Sequence, residues 1–474
     1  MCIYGGTTCA VIASNNPEVV VTVVDLNAER IKAWSSDELP IYEPGLLHLV
    51  KKARDGARRN LFFSKSISSA IIEADLIFMC VNTPTKQTGP GAGQALELDY
   101  LEGAIRRIAE VAQNDKIIVE KSTVPCRTAE TIREILDTTG RPGVKFSVLS
   151  NPEFLAAGTA IADLLQPDRV LIGCSKTPDG YSAAGALADV YAAWMPRDRI
   201  ITINLFSAEL TKLAANALLA QRISSINSLS AICEATGADI EEVTYACGLD
   251  SRIGPSMFKA SVGFGGSCFK KDILSLCYIS EFLGLAEVSA YWKSVIDINE
   301  YQKDKFTSRI VSCLGNTVTK KKLAVLGFTF KKDTDDTRES AAISVVSRLV
   351  AEGAHVSIYD PCAKTDQIWR DIGTYVTVCE SAYEACMNAQ AVIILTEWDE
   401  FNNRVTTDAQ RSSDRLRGPQ PGFVNLIRSK LDWPLVADIM CPPKYVFDGR
   451  NVVDAGKLEE LGFRVECVGK PSMS

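Results

Sequence analysis

The segment Val262-Gly263-Phe264-Gly265-Gly266-Ser267-Cys268-Phe269-Lys270-Lys271-Asp272 concentrates more reactive chemistry than any other stretch of the chain. Its three glycines let the backbone turn tightly and be approached closely, and they lead straight to a thiol. Two lysines and a carboxylate follow. Nearby cations and helix N-termini favour the thiolate, which is the nucleophilic form of cysteine. Cys268 is therefore the leading candidate for a nucleophile. The chain has 15 cysteines and no C-x-x-C pair. An odd, scattered set fits reduced thiols in a cytosolic enzyme better than a disulfide scaffold, and most of the others read as small apolar core residues.

Counting removes several alternatives. There are only two histidines, His48 and His355, so a three-histidine metal site is excluded and no metal is expected. His48 follows a helical stretch after Pro44-Gly45, and His355 opens an apolar strand; neither is placed as a base. A net charge of −7 argues against a general nucleic-acid binder. Apolar residues make up 46% and charged residues 23%, which excludes disorder over the whole length. No 18-residue apolar run predicts a membrane helix. The first 17 residues are uncharged but are broken by Gly5-Gly6 and Asn15-Asn16-Pro17, so they read as the start of a folded domain, not a signal peptide.

The elements that must position the thiol are legible in outline. At roughly 100–200 residues per domain, 474 residues predict two to four domains. Short apolar runs without alternation (Val19–Val24, Asp75–Val81, Lys116–Val119, Phe146–Leu149, Val170–Gly173) read as strands buried on both faces of a parallel sheet. Helical stretches such as Leu101–Ala112 and Ala129–Leu136 lie between them, so the first part is a doubly wound α/β domain. Polar clusters follow the runs: Asp25, Asn82–Thr85, Ser122-Thr123 and Asn151–Glu153. In an open parallel sheet those ends line the ligand crevice. Residues from about Phe206 to Cys233 lack Gly and Pro and predict one long helix, with Ser207 as N-cap and Glu209 in the first turn. It would exceed about 40 Å, long enough to bridge two domains. Lys212 and Asn216, four apart, share a face of it. Helical sequence continues to about Leu314. A second α/β pattern starts at Lys322–Gly327, with a helix at Ser340–Ala351 and strands at Val356–Tyr359 and Ala391–Leu395. The boundaries expected are 1–203, 204–314 and 315–474. The stretch 402–430 is polar and aperiodic and is expected to be a long exposed insertion.

A dinucleotide lobe should open with a strand, then G-x-G-x-x-G, a helix, and an acid about 20 residues on. Asp25 supplies an acid suited to ribose hydroxyls. The glycine loop, by contrast, is reduced to Tyr4-Gly5-Gly6, with the first strand cut short. Gly5 and Gly6 are still the residues expected to approach a pyrophosphate.

Several long strings resemble the UDP-glucose/GDP-mannose dehydrogenase family, and its animal and fungal branch more than its shorter bacterial members. They are Pro40–Leu46 (PIYEPGL), Val81–Thr85 (VNTPT), Glu120–Pro125 (EKSTVP), Ser150–Leu155 (SNPEFL), Lys212–Asn216 (KLAAN), Gly263–Cys268, Phe330–Thr334 (FKKDT) and Phe447–Arg450 (FDGR). The resemblance covers nearly the whole chain outside the first few residues and 402–430. It implies two Rossmann-like doubly wound domains joined by a long central helix and a helical middle domain. It also implies a cytoplasmic homo-oligomer, dimer-based and up to a hexamer, acting in nucleotide-sugar metabolism. The implied reaction is the four-electron oxidation of UDP-glucose to UDP-glucuronate by NAD, through a Cys268 thiohemiacetal and thioester.

The same resemblance assigns roles. Lys212 and Asp272 would hold the water and stabilise developing oxyanion charge. Glu153, helped by Thr123, would be the acid–base group of thioester hydrolysis, and Asn216 would orient the sugar. Arg252, Phe330, Lys331 and Arg450 match UDP-sugar contacts, with Glu153, Phe154 and Leu155 beside them. Lys259, Ala260, Ser261, Val262, Gly263, Phe264 and Gly265 would supply backbone to the same ligand. Asp25, Arg30, Val81, Asn82, Thr83, Pro84, Thr85, Ser122, Thr123, Val124, Lys271 and Arg338 match NAD contacts. The chain departs from the family at the glycine fingerprint, at Ala157, where the family carries a glutamate, and at 402–430. Three readings stay open here: an active UDP-glucose dehydrogenase, a catalytically impaired UDP-sugar-binding relative, or an enzyme of another nucleotide sugar such as GDP-mannose.

Overall fold

A computed structural model describes residues 3–404 and 429–471. Most of the stretch expected to be an insertion therefore lies outside the described residues. The chain divides into two units, Met1–Ala215 with Leu274–Ala286, and Asn216–Ile273 with Glu287–Ser474.

In the first unit, β1 (Val21–Val24) and β2 (Leu61–Ser64) pair in parallel as a two-stranded sheet. A separate five-stranded sheet holds β3 (Leu76–Met79), β4 (Lys116–Glu120), β5 (Phe146–Ser150), β6 (Val170–Cys174) and β7 (Ile200–Asn204), in that order. The expectation of a wholly parallel sheet needs one correction, since β5 and β6 meet antiparallel through Ser150 and Gly173. The stretch between them carries only the Ala160–Leu165 helix. Just beyond β5, the Asn151 side chain donates to the Leu171 carbonyl of β6 at 2.8 Å, which holds the two strands side by side at this end.

A doubly wound dinucleotide sheet has the order 3-2-1-4-5-6. Here β2, β1 and β3 take places three, two and four, and among the described residues no strand takes place one. The chain runs instead through the Ile3–Asn15 helix. Gly5 and Gly6 are inside that helix, which corrects the expectation of a glycine loop. A glycine turn needs a strand to turn from, and here the backbone is helical instead. Gly6 is fitted by packing, because a Cβ there would fall on the Trp34 indole ring. Trp34, Leu46, Val50 and Leu61 build the core on which this small sheet rests. Around the larger sheet, the Asp99–Val111 helix buries Leu101, Ile105, Ile108 and Ala109, a helical stripe facing Ile118 and Val148.

The second unit has one six-stranded parallel sheet. Its strands are β8 (Lys322–Leu326), β9 (His355–Tyr359), β10 (Thr377–Val378), β11 (Ala391–Ile394), β12 (Tyr445–Asp448) and β13 (Arg464–Cys467), in the order β10-β9-β8-β11-β12-β13. This is the complete 3-2-1-4-5-6 sequence. Leu323, Ala324, Val325 and Leu326 of the central strand are wholly buried, as an apolar run without alternation requires.

The long helix runs Leu205–Thr236, 32 residues or about 48 Å. Its start differs from the expectation. Asn204, at the end of β7, caps it by accepting from the Phe206 and Ser207 N–H groups at 3.0 and 3.3 Å, so Ser207 is already helical. The Ala286–Cys313 helix closes the helical stretch.

Candidate active site

In the first unit, the turns that follow β3 and β4 are sewn together at the carboxyl end of the sheet. The Ser122 hydroxyl accepts from the Val81 N–H at 3.0 Å, and the Thr83 hydroxyl donates to the Thr123 carbonyl at 2.8 Å. Val81–Thr85 and Ser122–Val124 therefore form one continuous rim. On the smaller sheet, Asp25 follows β1. Its carboxylate accepts from the Asn27 N–H and from the Arg30 guanidinium, both at 2.8 Å. Burial alone would raise the Asp25 pKa, but these hydrogen bonds hold it below the ordinary carboxylate value.

Glu153 follows β5. Its Oε1 lies 3.2 Å from the Lys212 Nζ, and its Oε2 accepts from the Leu155 N–H at 2.7 Å. Lys212 is almost wholly buried, and its ammonium sits 5.6 Å from the centre of the Phe154 ring. Burial pushes the Glu153 pKa up, yet the Lys212 charge, the Leu155 N–H and Lys121 outweigh it and keep the carboxyl ionised. An ionised carboxylate hydrogen-bonded to a buried ammonium can take a proton from water and return it. The turn after Glu153 is fixed from elsewhere: Glu43, in the Pro40–Leu46 string, accepts from the Gly158 and Ala160 N–H groups at 2.8 and 3.2 Å.

Glu209 is a residue whose use the sequence misplaced. It does not serve the start of its own helix. Its two carboxylate oxygens accept from the Arg127 and Ala129 N–H groups at 2.6 and 2.8 Å, at the start of the Thr128–Thr139 helix. Burial raises its pKa to about 7, and Glu120, also buried, is raised well above the ordinary value by burial and by Glu209.

In the second unit, Asn216 donates to Asp272 Oδ2 at 2.6 Å, and the Lys271 ammonium lies 3.5 Å from Asp272 Oδ1. Asp272 is completely buried. Cys268 immediately precedes the Phe269–Phe282 helix, and its carbonyl accepts the Asp272 N–H at 2.9 Å as that helix opens. The free N–H groups of a helix start favour negative charge. The glycines before it make close approaches. A Cβ on Gly265 would lie 2.5 Å from the Glu339 carbonyl, and one on Gly266 would lie 3.0 Å from the Phe330 ring. Arg338 belongs here too: its carbonyl accepts the Gly266 N–H at 3.0 Å while its guanidinium forks onto Asp336.

Other expected ligand contacts are differently engaged. Arg450 donates to the Leu395 and Phe330 carbonyls at 2.7 and 3.1 Å, which ties the ends of β8 and β11 together. Lys331 holds its ammonium 5.8 Å from the Phe330 ring centre. Arg252, with its side chain 87% exposed, forks onto Asp250 beyond the Ile240–Gly248 helix. Lys259 is exposed, whereas Ala260, Ser261, Val262, Gly263 and Phe264 are buried. The N–H groups from Ser261 to Phe264 are taken within the protein. Asn227, Asn299 and Gln302, which take part in that scaffold, went unnoticed in the sequence. A buried amide on a helix face has no spacing signature.

An α/β lobe with an ionised acid after its β1 strand, a second such lobe, and a thiol at a helix start together have the build of a nucleotide-dependent dehydrogenase. The chain belongs to the UDP-glucose/GDP-mannose dehydrogenase family: residues 3–195 match its NAD binding domain, 206–301 its central domain and 324–421 its UDP binding domain. It is 54% identical over 487 aligned positions to rice (Oryza sativa subsp. japonica) UDP-glucose 6-dehydrogenase 1, covering 98% of this chain and 95% of that one. Arabidopsis thaliana UDP-glucose 6-dehydrogenase 3 is 53% identical over the same span. These two relatives are plant proteins, eukaryotic like the animal and fungal branch that the strings resemble. Among solved structures, a UDP-glucose dehydrogenase from the archaeon Pyrobaculum islandicum superposes with a TM-score of 0.80 at 30% identity, over 98% of this chain and 95% of that one. Among the described residues no helix is long and apolar enough to cross a membrane.

Proposed function

We propose that this chain oxidises UDP-glucose at the sugar's terminal carbon to UDP-glucuronate, with two equivalents of NAD. What supports the reading most is the 54% identity, over nearly the full chain, to a protein named UDP-glucose 6-dehydrogenase. The residues present fit a dinucleotide: Asp25, held ionised after β1, for ribose hydroxyls, and the joined Val81–Thr85 and Ser122–Val124 rim for the rest, with Arg30, Lys271 and Arg338 as further contacts. NAD supplies the hydride acceptor in both oxidation steps.

The chain's own groups do the remaining work. As the first hydride leaves, the alcohol's hydroxyl proton passes to the water held by Lys212 and Asp272, and an aldehyde forms. The Cys268 sulfur adds to the aldehyde carbon, and the Lys212 and Asp272 side chains stabilise the oxygen charge that develops. Loss of the second hydride converts the thiohemiacetal to a thioester. Glu153, with Thr123, takes a proton from water, which adds to the thioester carbon and expels the Cys268 thiolate, leaving the carboxylate. Asn216, Phe330, Lys331, Arg252 and Arg450 orient the nucleotide sugar. The protein works in the cytoplasm as a homo-oligomer.

One observation favours a second reading, a UDP-sugar-binding relative with weak turnover: Gly5 and Gly6 lie in a helix, not in a pyrophosphate loop. Purified protein, UDP-glucose and NAD, followed by NADH absorbance beside a UDP-glucose titration, separate the two. Two NADH per sugar are expected. Tight sugar binding without NADH would replace the first reading with the second, and turnover of GDP-mannose in place of UDP-glucose would overturn the substrate. Cys268→Ala should lower turnover roughly a thousandfold or more and leave UDP-glucose affinity near its starting value. Full activity in that variant would remove the thioester step.

A further inference from the structure

The backbone from Ala260 to Phe264 is buried yet belongs to no helix or strand. Buried N–H and C=O groups must find partners, and in a coil these come from outside the segment's own regular pattern. Asn227 Oδ1 accepts from the Ser261 N–H at 2.9 Å. The Gly449 carbonyl accepts from Val262 at 2.7 Å, the Ser261 hydroxyl from Gly263 at 3.3 Å, and Asn299 Oδ1 from Phe264 at 2.8 Å. Gln302 donates to the Ser261 carbonyl at 2.9 Å. Asn299 also donates its Nδ2 to the Phe264 carbonyl at 3.1 Å, so its carboxamide meets that residue with both ends, as a neighbouring strand would.

The fit is steric as well as polar. Gly263 has a φ of +131°, and a Cβ there would lie 2.8 Å from Asn299 Oδ1. Only glycine lets the backbone lie flat against this amide. The Phe264 ring then packs edge-on against Phe269, with centroids 5.6 Å apart at 79°, and Phe269 follows Cys268 directly. We propose that Asn299 is a positioning residue for Cys268: its two-ended grip on Phe264 sets the Phe264–Phe269 contact that frames the thiol. This rests on the reading of Cys268 as the nucleophile.

Asn299→Asp in the full-length protein tests it. The substitution keeps the acceptor for the Phe264 N–H and turns the donor into an oxygen facing the Phe264 carbonyl, a buried polar mismatch that corresponds to roughly tenfold or more in an equilibrium or rate. Alkylation of Cys268 by iodoacetamide, read by peptide mass spectrometry, should change rate at least about threefold, while exposed Cys247 reacts as before. The kcat for NADH formation should fall about tenfold or more, with KM for NAD unchanged. Phe264→Leu, which disturbs no polar group, should shift the same quantities in the same direction by less. If both variants melt earlier yet keep the original alkylation rate and kcat per folded molecule, Asn299 is structural only and the proposal falls. If the unaltered protein makes no NADH, the oxidation reading fails instead, and the alkylation rates still decide the positioning.

Discussion

The two nucleotide lobes meet the same design problem differently. In the second, β8 lies between β9 and β11 and pairs with both. In the first, β1 and β3 belong to separate sheets, and the corresponding place between them holds no strand among the described residues. The acids after the second strand place differ as well. Asp360, after β9, turns onto its own lobe and accepts from the Phe328 and Thr329 N–H groups at 2.6 and 2.9 Å, closing the loop after β8. Asp25, after β1, accepts from the Asn27 N–H and the Arg30 guanidinium, in the turn and helix that follow it. The same position thus closes the loop after the first strand place in one lobe and, in the other, fixes the turn and helix that follow its own strand. A two-stranded sheet is marginal alone, so the smaller sheet depends on the helices packed around Trp34.

The sharpest contrast is between glycines. Gly327 follows β8 at a φ of +91°, and a Cβ there would lie 2.7 Å from the Thr396 backbone nitrogen. Gly6 is helical and faces a side-chain ring. Gly327→Ala should cost about 3 kcal/mol or more, since positive φ and backbone crowding add. Gly6→Ala should cost about 1–3 kcal/mol, because an indole can shift. Amide exchange resolved by lobe would measure both, and equal costs would break the contrast.

A pH effect confined to the first lobe should be comparable in size. The folded pKa of Glu209, about 7, lies above its ordinary 4.5. The folded state therefore holds this proton more tightly than the unfolded one. Its contribution is fullest below about pH 4.5 and is lost as pH rises through about 7, up to about 3 kcal/mol at roughly 1.4 kcal/mol per unit. Denaturant midpoints across that window should decline less steeply in Glu209→Gln. A parallel decline in both proteins would assign the effect to other groups.

The smallest expected effect concerns the cofactor. Grafting an apolar strand and a G-x-G-x-x-G loop ahead of Thr7 would give the first lobe the order the second already has. NAD should then bind about tenfold tighter, or about 1.4 kcal/mol, with UDP-glucose affinity unmoved. Calorimetry showing no gain would mean that the strand place is irrelevant to NAD.

Much of this protein was legible before folding. The buried strands announced themselves as apolar runs, and β1, β3, β4, β5, β6, β8, β9 and β11 lie within or close to the stretches that those runs marked. Asp25, Glu153, Lys212 and Cys268 stood out as candidates because reactive types stood at strand ends, on one helix face, or after glycines. Five strands were not found, β2, β7, β10, β12 and β13, because each is short and its apolar residues are interrupted or flanked by polar ones, so no unbroken apolar run marks it. The Asn204 cap was missed by three residues, since a cap depends on where the preceding strand stops.

Local pattern could determine the period of each element, the polar strand ends and the glycine-flanked thiol, because these follow from neighbours a few residues apart. Tertiary structure alone decided that Gly5-Gly6 would wind into a helix and that β6 would run against β5. It also decided that Glu209 would hold another helix's start and that Asn299 would grip Phe264 from 35 residues away. Those outcomes depend on which distant backbone groups become buried together and need partners, and no spacing along the chain records that.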